Sequence, residues 1–167
     1  MANTNVFRGS DGSIVLAVDT GAEGDLAQGV IDAYSLSPVG RATGVTVRVD
    51  SDMKPFHELG QRYPTELRAG NVNVSGSIDR AFINGALLKL LLGDAAASRP
   101  AGAFIAPSFN ITLRAENPAL AGKASTVTVH GAKIDEWSYD LPEADFVMEE
   151  VSFKALWISV EDVEASS

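Results

Sequence analysis

The sequence predicts a mainly β protein: an antiparallel β-sandwich or barrel with one flanking α-helix at about residues 84–97. Three observations carry this. Apolar and polar residues alternate with period two in several separate segments, and turn-forming residues punctuate those segments. A single leucine-rich run has helical spacing instead. Many short strands with one helix favour a closed or two-layered sheet with the helix on its flank.

The elements follow in order. Residues 1–12 are rich in Asn, Thr, Ser, Asp and Gly and read as an N-terminal arm. Ser13–Asp19 (SIVLAVD) is a first strand, and Gly21–Gly29 is expected to be a flexible connection, followed by a mixed stretch that ends near Pro38 and Gly40. From Thr43, Val45, Val47 and Val49 alternate with Thr46, Arg48 and Asp50, the signature of a strand with one wet face. Residues 51–70 break the period with Pro55, Gly60 and Pro64 and read as a long loop. Val72, Val74 and Ile78 start a second strand.

The predicted helix, Asn84–Ala97, has Asn84 as N-cap and a packing stripe of Leu87, Leu88, Leu91 and Leu92. Ser98–Pro107 then reads as a connection, and Phe109, Ile111 and Leu113 as a strand. Asn117–Lys123 is a turn, and Val127 and Val129 mark the next strand. Trp137, Tyr139 and Leu141 mark another, and Val151, Phe153, Ala155 and Trp157 the last. Trp137, Tyr139, Phe153 and Trp157 sit at alternating positions that read as core. Residues 159–167 form a short C-terminal tail.

Composition bounds the function. A length of 167 residues with 46% hydrophobic residues suits one domain over residues 1–167 with a real core. No run approaches the roughly 18 apolar residues of a membrane span, and the first ten residues lack a secretory pattern, so cytoplasmic synthesis and no membrane partner are expected. The absence of cysteine removes disulfides, thiolate chemistry and most structural zinc sites. The net charge is −9, and residues 131–167 carry ten acids against two bases. Such a surface repels phosphate and does not grip nucleic acid.

Catalytic patterns are weak. The only imidazoles are His57 and His130. The run His57-Glu58-Leu59-Gly60-Gln61 opens like a zinc-protease helix, but Gln61 stands where the second ligand belongs and Pro55 and Gly60 oppose a helix. His130 reads as an exposed strand residue. Glu143, Asp145, Glu149 and Glu150 lack the spacing of a calcium loop and make only a weak carboxylate pair. No phosphate-cradling glycine loop is present. The expectation is no enzyme, no metal and no cofactor.

The order of features is more informative than any motif. An alternating strand, a long loop, the strand Asn71–Asp79 (NVNVSGSID), the helix 84–97, a strand pair and the terminal Met148–Ala155 (MEEVSFKA) resemble the tail tube proteins of contractile-tailed bacteriophages and related contractile injection particles. The resemblance runs from about residue 12 to 162. It implies subunits that self-assemble into stacked hexameric rings, with sheets joining between subunits into a continuous tube. DNA would pass through the lumen to the host without specific binding.

Further partners implied by the resemblance are the tail sheath protein, the tape measure protein, the baseplate and the tail terminator. Its place would be the virion tail, assembled in the host cytoplasm. The loop 51–70 lies where such proteins reach the adjacent ring. Candidate inter-ring contacts are therefore Met53, Lys54, Phe56, Glu58, Leu59, Arg62, Tyr63, Glu66, Leu67 and Arg68, against the simpler expectation that the loop folds back on its own core. The tube of a headless injection particle or a type VI secretion system fits the same features. A β-sandwich carbohydrate-binding module is the alternative from another class, and it would need exposed aromatics grouped on one sheet face.

Overall fold

A computed structural model describes residues 6–36, 39–117, 119 and 122–163. Among these the strands and helices run β1 (Gly12–Val18), α1 (Gly21–Tyr34), β2 (Ala42–Ser51), β3 (Lys54–Phe56), β4 (Glu66–Arg68), β5 (Val72–Ala81), α2 (Ala86–Leu92), β6 (Phe109–Glu116), β7 (Ala124–Asp140), β8 (Met148–Ala155) and β9 (Trp157–Val163). The predicted class holds. A seven-stranded antiparallel sheet in the order β1-β6-β7-β8-β5-β2, with β9 also paired to β7, curls into a half-barrel. The short β3–β4 pair stands apart from it.

β7 organises the sheet. The sequence suggests separate strands around Val127–Val129 and Trp137–Leu141, but Val127–Val129 and Trp137–Asp140 belong to this one 17-residue strand, and Leu141 lies just past its end. Its first half pairs with β6 and β9, and its second half with β8. β8 and β9 together form the return strand of one long hairpin, broken at Leu156. Opposite that break, Gly131 has φ +66, and a Cβ there would lie 2.7 Å from the Leu156 side chain. Glycine at this bend in β7 suits both the left-handed backbone and the close approach of the Leu156 side chain.

The concave side is filled by apolar residues in phase along the strands. Leu16, Ile78, Phe109, Ile111, Val129, Ile134, Val151 and Phe153 are all buried there, with Ala27 and Ile31 of α1 and Ala86, Leu87 and Leu90 of α2 packed over them. The helical stripe differs from the predicted one. Leu90 is central, while Leu88 and Leu92 are only half-buried.

Several expectations are corrected. Gly21–Gly29 is helix, because Gly24 packs against the preceding strand end; a Cβ at Gly24 would stand 2.1 Å from the Asp19 carbonyl oxygen. The glycine that reads as flexibility is a close-packing device. The predicted helix 84–97 is α2 followed by a 3-10 turn at Gly93–Ala96, with Gly93 at φ +58. Asn84 acts just before the helix: its Oδ1 accepts from the Ala86 amide at 3.1 Å.

The tail expected at 159–167 is strand β9 as far as Val163, because its backbone completes the β7 ladder. In the predicted arm, Gly9–Asp11 form a 3-10 turn and Gly12 opens β1. Residues 1–5, 37–38 and 164–167 lie outside the described residues, as do 118, 120 and 121 of the predicted turn 117–123.

Candidate assembly surfaces

The segment 51–70 is neither an unstructured loop nor folded back on the core. From the ends of β2 and β5 the chain continues through an Asp52 amide to Asn71 carbonyl bond of 3.0 Å into the β3–β4 ribbon. Lys54 faces Arg68, Pro55 faces Leu67 and Phe56 faces Glu66. Between the strands, the Gln61 amide donates to the Glu58 carbonyl at 3.1 Å and Gly60 takes φ +85, a turn incompatible with a zinc-binding helix. Every residue from Ser51 to Ala69 is exposed.

The candidate contact residues therefore divide three ways. Strand alternation puts Lys54, Phe56, Glu66 and Arg68 on one face of the ribbon and Met53 and Leu67 on the other. Glu58, Leu59, Arg62 and Tyr63 occupy its tip. Leu59 and Tyr63 are 105% and 84% exposed. Exposed ion pairs hold Arg68 to Glu66 at 3.2 Å and Lys54 to Asp52 at 4.0 Å. A two-stranded ribbon is marginal in water by itself, and this one shows apolar side chains on both faces.

The convex side of the half-barrel is polar. One register row reads Thr46, Ser77, Ser152 and Glu136 across β2, β5, β8 and β7. Another reads Thr112, Thr128 and Ser159 across β6, β7 and β9. Hydroxyls dominate both rows.

Glu149 is not a surface acid. It pairs with Arg80, its neighbour across β5 and β8, and both side chains are fully buried. Glu149 Oε2 accepts from Trp137 Nε1 at 2.8 Å, while Arg80 Nη2 donates to Asn84 O and Oδ1 at 3.2 Å. This polar knot ties β5, β7 and β8 to the start of α2. Sequence reasoning grouped Glu149 with the surface acids and passed over Arg80. The available signal was phase, since both lie on the apolar beat of their strands.

Neither imidazole is a partner in this knot. His57 is exposed on the ribbon. His130 is half-buried, not simply exposed: its ring stacks on Trp157 with centroids 3.7 Å apart, and Nε2 lies 2.9 Å from Ser159 Oγ. Among the described residues no group of three or more His, Asp or Glu is placed to hold a metal ion. The aromatic core expectation holds for buried Phe153 only; Trp137 is half-buried, and Tyr139 and Trp157 are 44% and 55% exposed. Tyr139 shares the phase of Val151 and Phe153, whereas Trp157 is out of phase with the core residue Ile158. The two exposed rings thus lie on opposite faces.

Solved structures with the same arrangement were found at low sequence identity. The chain matches the sheath-tube complex of an extracellular contractile injection system, PVC, in its extended state, with TM-score 0.60 and 12% identity over 96% of this chain and 94% of that one. This chain has the tail-tube fold. The terminating cap of the anti-feeding prophage tube matches with TM-score 0.61 and 8% identity over 97% of this chain and 95% of that one. The SPP1 tail tube matches with TM-score 0.59 and 13% identity over 94% and 80%. No protein-family model and no curated protein matches the chain. At these identities the likeness is one of fold.

Proposed function

We propose that this chain is the tube subunit of a contractile phage tail, self-assembling into stacked hexameric rings around a channel for DNA. The β3–β4 ribbon carries the reading. Apolar residues on both of its faces, remote from the core, suit insertion between subunits of an adjacent ring. Met53, Lys54, Phe56, Glu58, Leu59, Arg62, Tyr63, Glu66, Leu67 and Arg68 are the proposed inter-ring contacts.

The open edges of the half-barrel call for pairing with neighbours, which removes the aggregation hazard of an unpaired strand. Its hydroxyl-rich convex side suits a wet channel that lets DNA slide without specific binding. Sheath, tape measure, baseplate and terminator proteins are the partners of this assembly, and the virion tail its location, after assembly in the host cytoplasm.

Negative-stain microscopy with sizing chromatography tests the reading. Hollow tubes or six-fold rings at high concentration are expected, and Phe56→Ala/Leu67→Ala is expected to abolish stacking. A chain that stays a compact monomer even with its baseplate present would sink it. The injection-particle reading is the second, favoured by the match to the PVC sheath-tube complex. Isolating particles from the producing cells separates the two: DNA-filled heads on the tails indicate a phage, headless tubes an injection particle.

A further inference from the structure

The sheet has two chemically distinct ends. β2 and β5 run antiparallel, so Ser51 and Val72 mark one end and Ala42 and Arg80 the other. The ribbon leaves from the first. At the second, Ala81 lies opposite Met148, which lies opposite Asp140. With nine residue steps along β5, the ends are roughly 30 Å apart.

The second end carries its own exposed apolar group. Phe82, whose amide donates to the Val147 carbonyl at 2.9 Å, stacks on Tyr139 at 5.3 Å between ring centroids. Ile83, Leu141 and Phe146, on the adjoining segments at this end, are 56%, 67% and 82% exposed. Residues 139–150 contain five acids and no base. Glu149 is engaged with buried Arg80; Glu143 and Asp145 are exposed on the loop that carries Leu141 and Phe146, while Asp140 and Glu150 take the face of Ser138, opposite to Tyr139. Beneath the apolar group, the Arg80–Glu149–Trp137 knot fixes the strands that present it.

We propose that this acid-bearing patch receives the β3–β4 ribbon tip of a second copy of the chain. The inference rests on the tube reading above and supplies its missing half, the surface that faces the ribbon. The tip offers Leu59 and Tyr63 as apolar groups, and Arg62 and Glu58 as charges of opposite sign with no ion-pair partner among the described residues, of which Arg62 suits the acids of the patch. Arg68 and Lys54 are held only in exposed pairs of small worth and are free to turn toward those acids. Because ribbon and patch are different surfaces at opposite ends, their contact is head-to-tail. It leaves a free ribbon and a free patch after every addition, so it propagates along the strand direction instead of closing into a dimer.

The cysteine-free sequence makes the test clean. Leu59→Cys and Phe146→Cys each replace an exposed residue and are expected to fold. Under mild oxidation a mixture of the two single variants should give a crossed dimer and no dimer of either variant alone. The L59C/F146C double variant should give a ladder of covalent multimers. Arg62→Glu should raise the concentration for half-assembly about tenfold. Dimers of either single variant alone, without the crossed product, would overturn the proposal; if tubes still appear in the microscope, the tube reading survives that result. No crosslink together with no assembly overturns both.

Discussion

Two regions of this chain place side chains against their hydropathy, in opposite directions. The end of β5 buries an arginine and a glutamate completely, while the β3–β4 ribbon leaves leucine, tyrosine and phenylalanine in solvent. The buried charges have partners within the subunit in each other, Trp137 and Asn84, and Arg80 Nη1 is the one buried atom of the knot that makes no hydrogen bond. Among the described residues the exposed apolar groups of the ribbon have no cover. Inverted polarity thus has two forms here, and internal partners distinguish them: the first region pairs its buried groups within one copy, and the second leaves its apolar groups in solvent.

Substitution can break this comparison at either side. Glu149→Ala strands the buried Arg80 guanidinium and should cost about 3–5 kcal/mol of stability. Urea denaturation of the purified subunit measures this, and replacing both partners by methionine should recover most of the loss. Gly24→Ala forces a methyl into the Asp19 carbonyl and should cost about 1–3 kcal/mol in the same assay. His130→Ala removes the stack on Trp157 and should cost about 0.5–1.5 kcal/mol, with a change in tryptophan emission marking the altered ring environment. Phe56→Ala/Leu67→Ala should leave subunit stability within about 0.5 kcal/mol, since neither side chain touches the core. An equally large loss from the ribbon pair and from Glu149→Ala would erase the distinction.

The sequence made the strands legible where one face is dry. Val45 and Val47 alternate because their neighbours are wet, and the same holds for Ile111 and Val151. It hid α1, because Gly21, Gly24 and Gly29 look like flexibility until the Asp19 carbonyl is seen against Gly24. It hid the ribbon's strands because both faces are exposed, leaving no period to read, and Pro55, Gly60 and Pro64 argue for a loop. The ten candidate contact residues come from the resemblance, which puts that segment against the adjacent ring, and the sequence does not divide them between two faces and a tip. The 139–148 end was missed because Tyr139 and Leu141 continue the apolar beat of Trp137 beyond the point where the helices cover it. Period reveals which side of a strand is apolar, and it is silent on where the cover stops.

The long bent hairpin of β7 with β8 and β9 has a mechanical consequence. One covalent strand belongs to both halves of the curled sheet, so neither half can peel away without tearing the ladder of the other. The amides of β6 and β5, on opposite sides of the bend, are then expected to exchange with deuterium through a single global opening. A subunit built this way carries load along β7 from one sheet half to the other, and yields all at once or not at all.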